Sequence, residues 1–206
     1  MSFHEALRAF PFIAILRGVK PEEVVGLAEE LVAAGFGIIE VPMNSPEPLR
    51  SIELLAKAFP TILIGAGTVM TPDAVANVEQ AGGRLILMPH SDGVVVRAAK
   101  ERGLACVPGV ATPTEAFAAL ANGADALKMF PAEQMPPAVV GAWRAVLPQG
   151  TLLVPVGGIS PDKVASYRAA GAGGFGLGSA LYKPGMARTE IRATAAAFAE
   201  CWGGQR

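Results

Sequence analysis

Eight times along this chain a short apolar run is followed by a turn and then an amphipathic helical stretch. The runs fall at residues 12–16, 37–41, 62–66, 85–88, 104–108, 126–130, 152–156 and 173–177. Their spacing of roughly 20 to 26 residues is the length of a compact βα unit. None alternates polar with apolar, as expected of parallel strands covered on both faces. Helix starts are marked by a cap or loop residue before proline with acidic residues after it, as in Lys20-Pro21-Glu22, Thr71-Pro72-Asp73, Thr112-Pro113-Thr114-Glu115 and Ser160-Pro161-Asp162. Helix ends are marked by Gly35, Gly82, Gly103, Gly123 and Gly171. This pattern predicts an α/β chain forming a single (β/α)8 TIM barrel over residues 1–206, with short loops and no inserted domain. An open doubly wound sheet gives the same local signals, and the count of eight favours closure.

Such folds place their chemistry at the C-terminal ends of the strands, where alternation decides which side chains share a face. Ile13, Ile15 and Arg17 share a face of the first run, Ile38 and Glu40 of the second, and Ala126, Lys128 and Phe130 of the sixth. The third run leads into Gly67-Thr68. Lys128 is the anomaly, because of six lysines only it falls inside an apolar run. Burying an ammonium is costly unless it is paired or deprotonated, and a lysine of lowered pKa is a good nucleophile. A structural ion pair, or a strand tip reaching solvent, would also account for it. If these faces point inward, Arg17, Glu40, Thr68 and Lys128 meet at one mouth. That set supplies an amine, a carboxylate for proton transfer and a guanidinium suited to a substrate carboxylate.

Two glycine-rich turns follow the seventh and eighth runs, at Val156-Gly157-Gly158-Ile159 and Gly176-Leu177-Gly178-Ser179. Turns there let backbone N–H groups and a helix N-terminus approach an anion, the usual phosphate position of this architecture. Tight packing of the sheet seam is the other reading of those glycines. They do not form a dinucleotide fingerprint, since they follow a late strand with no acidic ribose-binder after them.

Composition narrows the rest. With 51% hydrophobic and 17% charged residues the chain has a large core, and a net charge of −1 without a basic stripe gives no footprint for nucleic acid or membrane surfaces. No apolar run reaches membrane-spanning length, and residues 1–8 lack the plan of a signal peptide. The two cysteines, Cys106 and Cys201, are too few for a disulfide framework, so a cytoplasmic protein is expected. Two histidines, His4 and His90, are too few for a histidine-rich metal site. His90, just past the fourth run, could line the mouth or stand as an ordinary loop residue.

Ile13-Ala-Ile-Leu-Arg-Gly18, Gly35-Phe-Gly-Ile-Ile-Glu-Val-Pro-Met-Asn-Ser-Pro46, Ile64-Gly-Ala-Gly-Thr-Val69, Ala126-Leu-Lys-Met-Phe-Pro131, Val156-Gly-Gly-Ile159 and Gly176-Leu-Gly-Ser179 together resemble the class I 2-keto-3-deoxy-6-phosphosugar-acid aldolases. The resemblance covers nearly the whole chain. It implies a cytoplasmic homotrimeric (β/α)8 lyase, without metal or cofactor, acting on a small phosphorylated keto acid. On it, Lys128 matches the Schiff-base lysine and Glu40 the proton-shuttling carboxylate. Arg17 and Thr68 match carboxylate-binding positions, and Gly157, Gly158, Gly178 and Ser179 the phosphate site. Gluconate-type members carry Thr-Leu-Arg-Thr after the strand-two glutamate and a threonine before the Gly-Gly pair. This chain has Pro42-Met43-Asn44-Ser45 and Val156, which resembles the galactonate-type branch. Gluconate-type specificity, a phosphosugar isomerase or epimerase, and a non-catalytic phosphate-binding module are the rival readings. Met88-Pro89-His90 departs from the family pattern, which has a small or hydroxyl residue, then Pro, then Asn or Gly.

Overall fold

The computed structural model describes residues 1–203. Every strand pairing is parallel, and the strands form two sheets. The larger contains β1 (Phe12–Ile15), β2 (Ile38–Pro42), β3 (Leu63–Gly67), β4 (Leu85–Leu87), β5 (Ala105–Val107) and β9 (Phe175–Leu177), in the order β5-β4-β3-β2-β1-β9. The smaller contains β6 (Gly109–Val110), β7 (Leu127–Met129) and β8 (Leu153–Pro155), in that order. The fifth apolar run thus becomes two strands. Pro108 has no N–H for a sheet ladder, and pairing passes from β4 on one side of it to β7 on the other. A bridge between Val156 and Gly176 links the end of β8 to β9.

Helices connect the strands: α2 (Pro21–Ala33), α3 (Pro48–Ala58), α4 (Pro72–Gln80), α5 (Gly93–Glu101), α6 (Pro113–Ala121), α7 (Pro137–Arg144), α8 (Pro161–Ala169) and α9 (Arg188–Gly203). Proline opens six of them, as expected where the first N–H groups lack intrahelical partners. Thr71 and Thr112 accept N–H bonds from Ala74 and Glu115, whereas Lys20 caps through backbone alone. The five expected stop glycines all take φ between 69° and 104°. No described helix is long and apolar enough to cross a membrane.

Two apolar layers result. Ile39, Ala66, Ile86, Leu127 and Leu177 face outward onto the helices, and Ile13, Ile15, Ile38, Leu63, Leu87, Val107, Ala126, Val154 and Val156 form an inner cluster. Each large buried aliphatic contributes about 1.5–3 kcal/mol, so the alternation is strongly enforced. A helix outside the eight repeated units, α1 (Phe3–Ala9), precedes β1. Ser2 and Glu5 make a reciprocal capping box, and Phe3, Ala6 and Leu7 join the inner cluster. Ala6 and Leu7 lie against Gly37 and Gly174, which precede β2 and β9, so α1 covers the N-terminal ends of those strands. Functional side chains are left to the opposite end.

Candidate active site

The inward faces continue past the apolar cluster into polar residues. Glu40 pairs with Ile15 on β1 and Gly65 on β3, and Lys128 pairs with Gly109 on β6 and Val154 on β8. Glu40 is 1% exposed and Lys128 5%, which makes them the two charged residues enclosed at this end. Glu40 Oε2 is buried without a hydrogen-bond partner among the described residues. Burial pushes its carboxyl up to about 7, against the opposing pull of Lys128, Arg17 and the Gly67 N–H. Burial likewise lowers the Lys128 pKa, with Glu40 opposing that fall and Arg17 adding to it. The Lys128 ammonium lies 4.7 Å from the centre of the Phe130 ring. A contact of that kind returns about 0.5–2 kcal/mol, less than desolvation of an ammonium costs, so the net shift is downward. The result is an amine that loses its proton more readily than ordinary lysine, beside a carboxyl that can both hold and release a proton near neutrality.

Arg17 stands at the end of β1 and is exposed. It donates to Asn44 Oδ1 at 2.5 Å and to Thr68 Oγ1 at 3.5 Å, tying together the ends of three strands. Gly18 N–H donates to Ser45 Oγ at 2.9 Å. Thr68 has φ of 57°, a left-handed conformation that a β-branched residue rarely takes, and such strain persists only where surroundings impose it.

A cavity of about 520 Å³ opens over this end. Arg17, Lys128, Val156, Gly157, Gly158, Gly178 and Ser179 all line it, so seven of the nine expected site residues share one wall. Glu40 and Thr68 do not line it. Glu40 lies enclosed, coupled to Lys128 by charge, and Thr68 joins through Arg17. Gly157 and Gly158 take φ of 109° and 62°, conformations costly for other residues. The wall also carries Glu133, Tyr182, Lys183 and Pro184, none of which the sequence reading identified. A smaller groove of about 390 Å³, lined by Glu53, Lys57, Gln80 and Arg84, is on the outer helices and gathers no enclosed charge. His90 is exposed and stays off the cavity wall; its carbonyl accepts from Gly109 N–H at 3.1 Å. Cys106 is buried, with its thiol pushed up to about 12 by burial, as befits a small core residue.

The chain is 49% identical over 201 residues to a probable 2-dehydro-3-deoxy-6-phosphogalactonate aldolase of Rhizobium meliloti (strain 1021), covering 95% of each chain. It is 41% identical over 193 residues to the 2-dehydro-3-deoxy-6-phosphogalactonate aldolase of Escherichia coli (strain K12), covering 93% of this chain and 94% of that one. A solved structure described as native KDPGal superposes with a TM-score of 0.93 at 40% identity over 95% of both chains. The family described as KDPG and KHG aldolase matches residues 3–195, which span the enclosed lysine, its carboxyl partner and both glycine turns, and the chain belongs to that family.

Proposed function

We propose that this protein is a class I aldolase that reversibly cleaves 2-dehydro-3-deoxy-6-phospho-D-galactonate to pyruvate and D-glyceraldehyde 3-phosphate. The carrying observation is the enclosed Lys128 on a cavity lined also by the glycine turns, with Glu40 enclosed and coupled to it by charge. In this reading the Lys128 amine adds to the C2 ketone and water leaves, giving an iminium. Glu40, through a water, relays protons in that step and then takes the C4 hydroxyl proton. The C3–C4 bond breaks, its electron pair passes into the iminium as an enamine, and the C4 oxygen becomes the aldehyde. Protonation at C3 and hydrolysis release pyruvate. Arg17 and Thr68 hold the carboxylate, and Gly157, Gly158, Gly178 and Ser179 hold the phosphate. The bond to be broken is thereby fixed between two anchors.

The preference for the galactonate epimer rests on Val156, which puts an apolar surface on the cavity wall, and on the galactonate-type names of the relatives above. The same reading takes the two sheets as one closed (β/α)8 barrel and a single domain. The split of β5 and β6 at Pro108 and the Val156–Gly176 bridge support that closure. A homotrimer is the assembly the family resemblance implies, and light scattering reads it directly. Cleavage of the two C4 epimers assayed side by side tests the function. Faster turnover of the galactonate epimer is expected, a preference for the gluconate epimer would reassign the substrate, and cleavage of neither would remove the reading.

A further inference from the structure

Glu133 lies on the wall of the same cavity, and its carboxylate makes no hydrogen bond or ion pair among the described residues. It is carried on the 3₁₀ turn Ala132–Gln134, which is held firmly. Ala132 N–H donates to the Val156 carbonyl at 2.8 Å, and the Tyr167 hydroxyl lies 3.0 and 3.1 Å from the carbonyls of Ala132 and Met135. The turn sets the carboxylate against the glycine pair. A β-carbon added to Gly157 would stand 2.2 Å from Glu133 Oε2, and one on Gly158 would stand 2.7 Å from its Cγ. Bare glycines at these two positions are what leave it room.

A carboxylate can accept hydrogen bonds but not donate them, and a phosphate nearby repels it unless a donor stands between. The substrate proposed above has only two donors between its anionic ends, the hydroxyls on C4 and C5. Glu40 deals with the C4 hydroxyl. The C5 hydroxyl is left, on the stretch that runs from Lys128 to the glycine turns where Glu133 sits. Resting on that reading, we propose that Glu133 accepts a hydrogen bond from the C5 hydroxyl, and so selects aldehydes that carry a hydroxyl next to the carbonyl. Lys183, exposed on the same wall, offsets the added negative charge.

The test is condensation of pyruvate with D-glyceraldehyde 3-phosphate or with 3-oxopropyl phosphate, which lacks that hydroxyl. Wild type, Glu133→Gln and Glu133→Ala are compared, with pyruvate and borohydride trapping on Lys128 run for each. Glu133→Ala should lose roughly 10- to 100-fold in kcat/KM on the hydroxylated aldehyde, with the loss absent on the deoxy aldehyde and trapping intact. Glu133→Gln, which keeps one acceptor oxygen, should fall between. Equal losses on both aldehydes, or no loss on either, would overturn the assignment. Failure of the wild type to condense or trap would instead defeat the aldolase reading and this proposal with it.

Discussion

The carboxylate of Glu40 occupies the space where a side chain on Gly67 would begin. A β-carbon there would stand 2.2 Å from Oε2 and 2.4 Å from Oε1. Gly67 is thus part of how Glu40 is aimed, through its missing side chain as well as its N–H.

Gly67→Ala should displace the Glu40 carboxylate by about an ångström, which for a proton-transfer group costs on the order of 100-fold in kcat. KM should change less than kcat, because Arg17 and the glycine turns lie apart from Gly67 and only the neighbouring Thr68 anchor is close to it. A variant with near-normal kcat and native circular dichroism would mean that the position of Glu40 is not critical.

The pH dependence of kcat/KM should follow Glu40. A base must be deprotonated to act, so the profile should rise through about pH 7. Glu40→Gln should slow turnover greatly and lack that limb. Arg17 holds the Glu40 carboxyl down, so Arg17→Gln should move the limb to higher pH while raising KM for pyruvate. A limb that moved to lower pH would contradict the electrostatic account.

Val156 is 4% exposed, and its side chain fills the space over Gly176, with a β-carbon on that glycine 2.6 Å from Val156 Cγ2. Val156→Thr exchanges one methyl for a hydroxyl at nearly constant volume. The ratio of galactonate to gluconate cleavage should fall about tenfold or more, since a site offering a hydrogen bond favours the epimer that can use it. An unchanged ratio would move the discriminating contact to the Pro42–Ser45 turn.

Away from the site, Glu30 of α2 accepts from Arg188 and Arg192 of α9 at 2.6–3.0 Å. Those guanidiniums hold its carboxyl at about 2, below its unfolded value. A depressed carboxyl stabilises above the unfolded pKa and loses that contribution as pH falls through about 4 toward 2. Both arginines are more than half exposed, so solvent screens the gain. Glu30→Gln should lower the melting temperature at pH 7 and narrow the gap at pH 3. A constant gap would place the effect in packing instead.

The strand faces were legible because they obey a period of two and are enforced by burial on both sides. Ile13–Ile15–Arg17, Ile38–Glu40 and Ala126–Lys128 all point as alternation requires. The glycine turns were legible because few residues other than glycine tolerate φ of 109°. What escaped lay in loops, where contacts depend on the path of the chain through space. Asn44 and Ser45 meet Arg17 and Gly18 across 27 residues, and Glu133 meets Gly157 only because a 3₁₀ turn folds back onto β8. The first helix was within reach, since Ser2 and Glu5 have capping-box spacing. Of the two readings of His90, the ordinary loop residue holds: it follows β4, is exposed and stays off the cavity wall.

Everything in the proposed reaction depends on Lys128 forming an imine with a keto acid. Incubation with pyruvate and borohydride, followed by peptide mass mapping, tests it most directly. The account predicts a stable reduced pyruvate adduct on Lys128 with loss of activity, and no adduct in Lys128→Met. An enzyme that stays active under these conditions with Lys128 unmodified, or an adduct on another lysine, would contradict it.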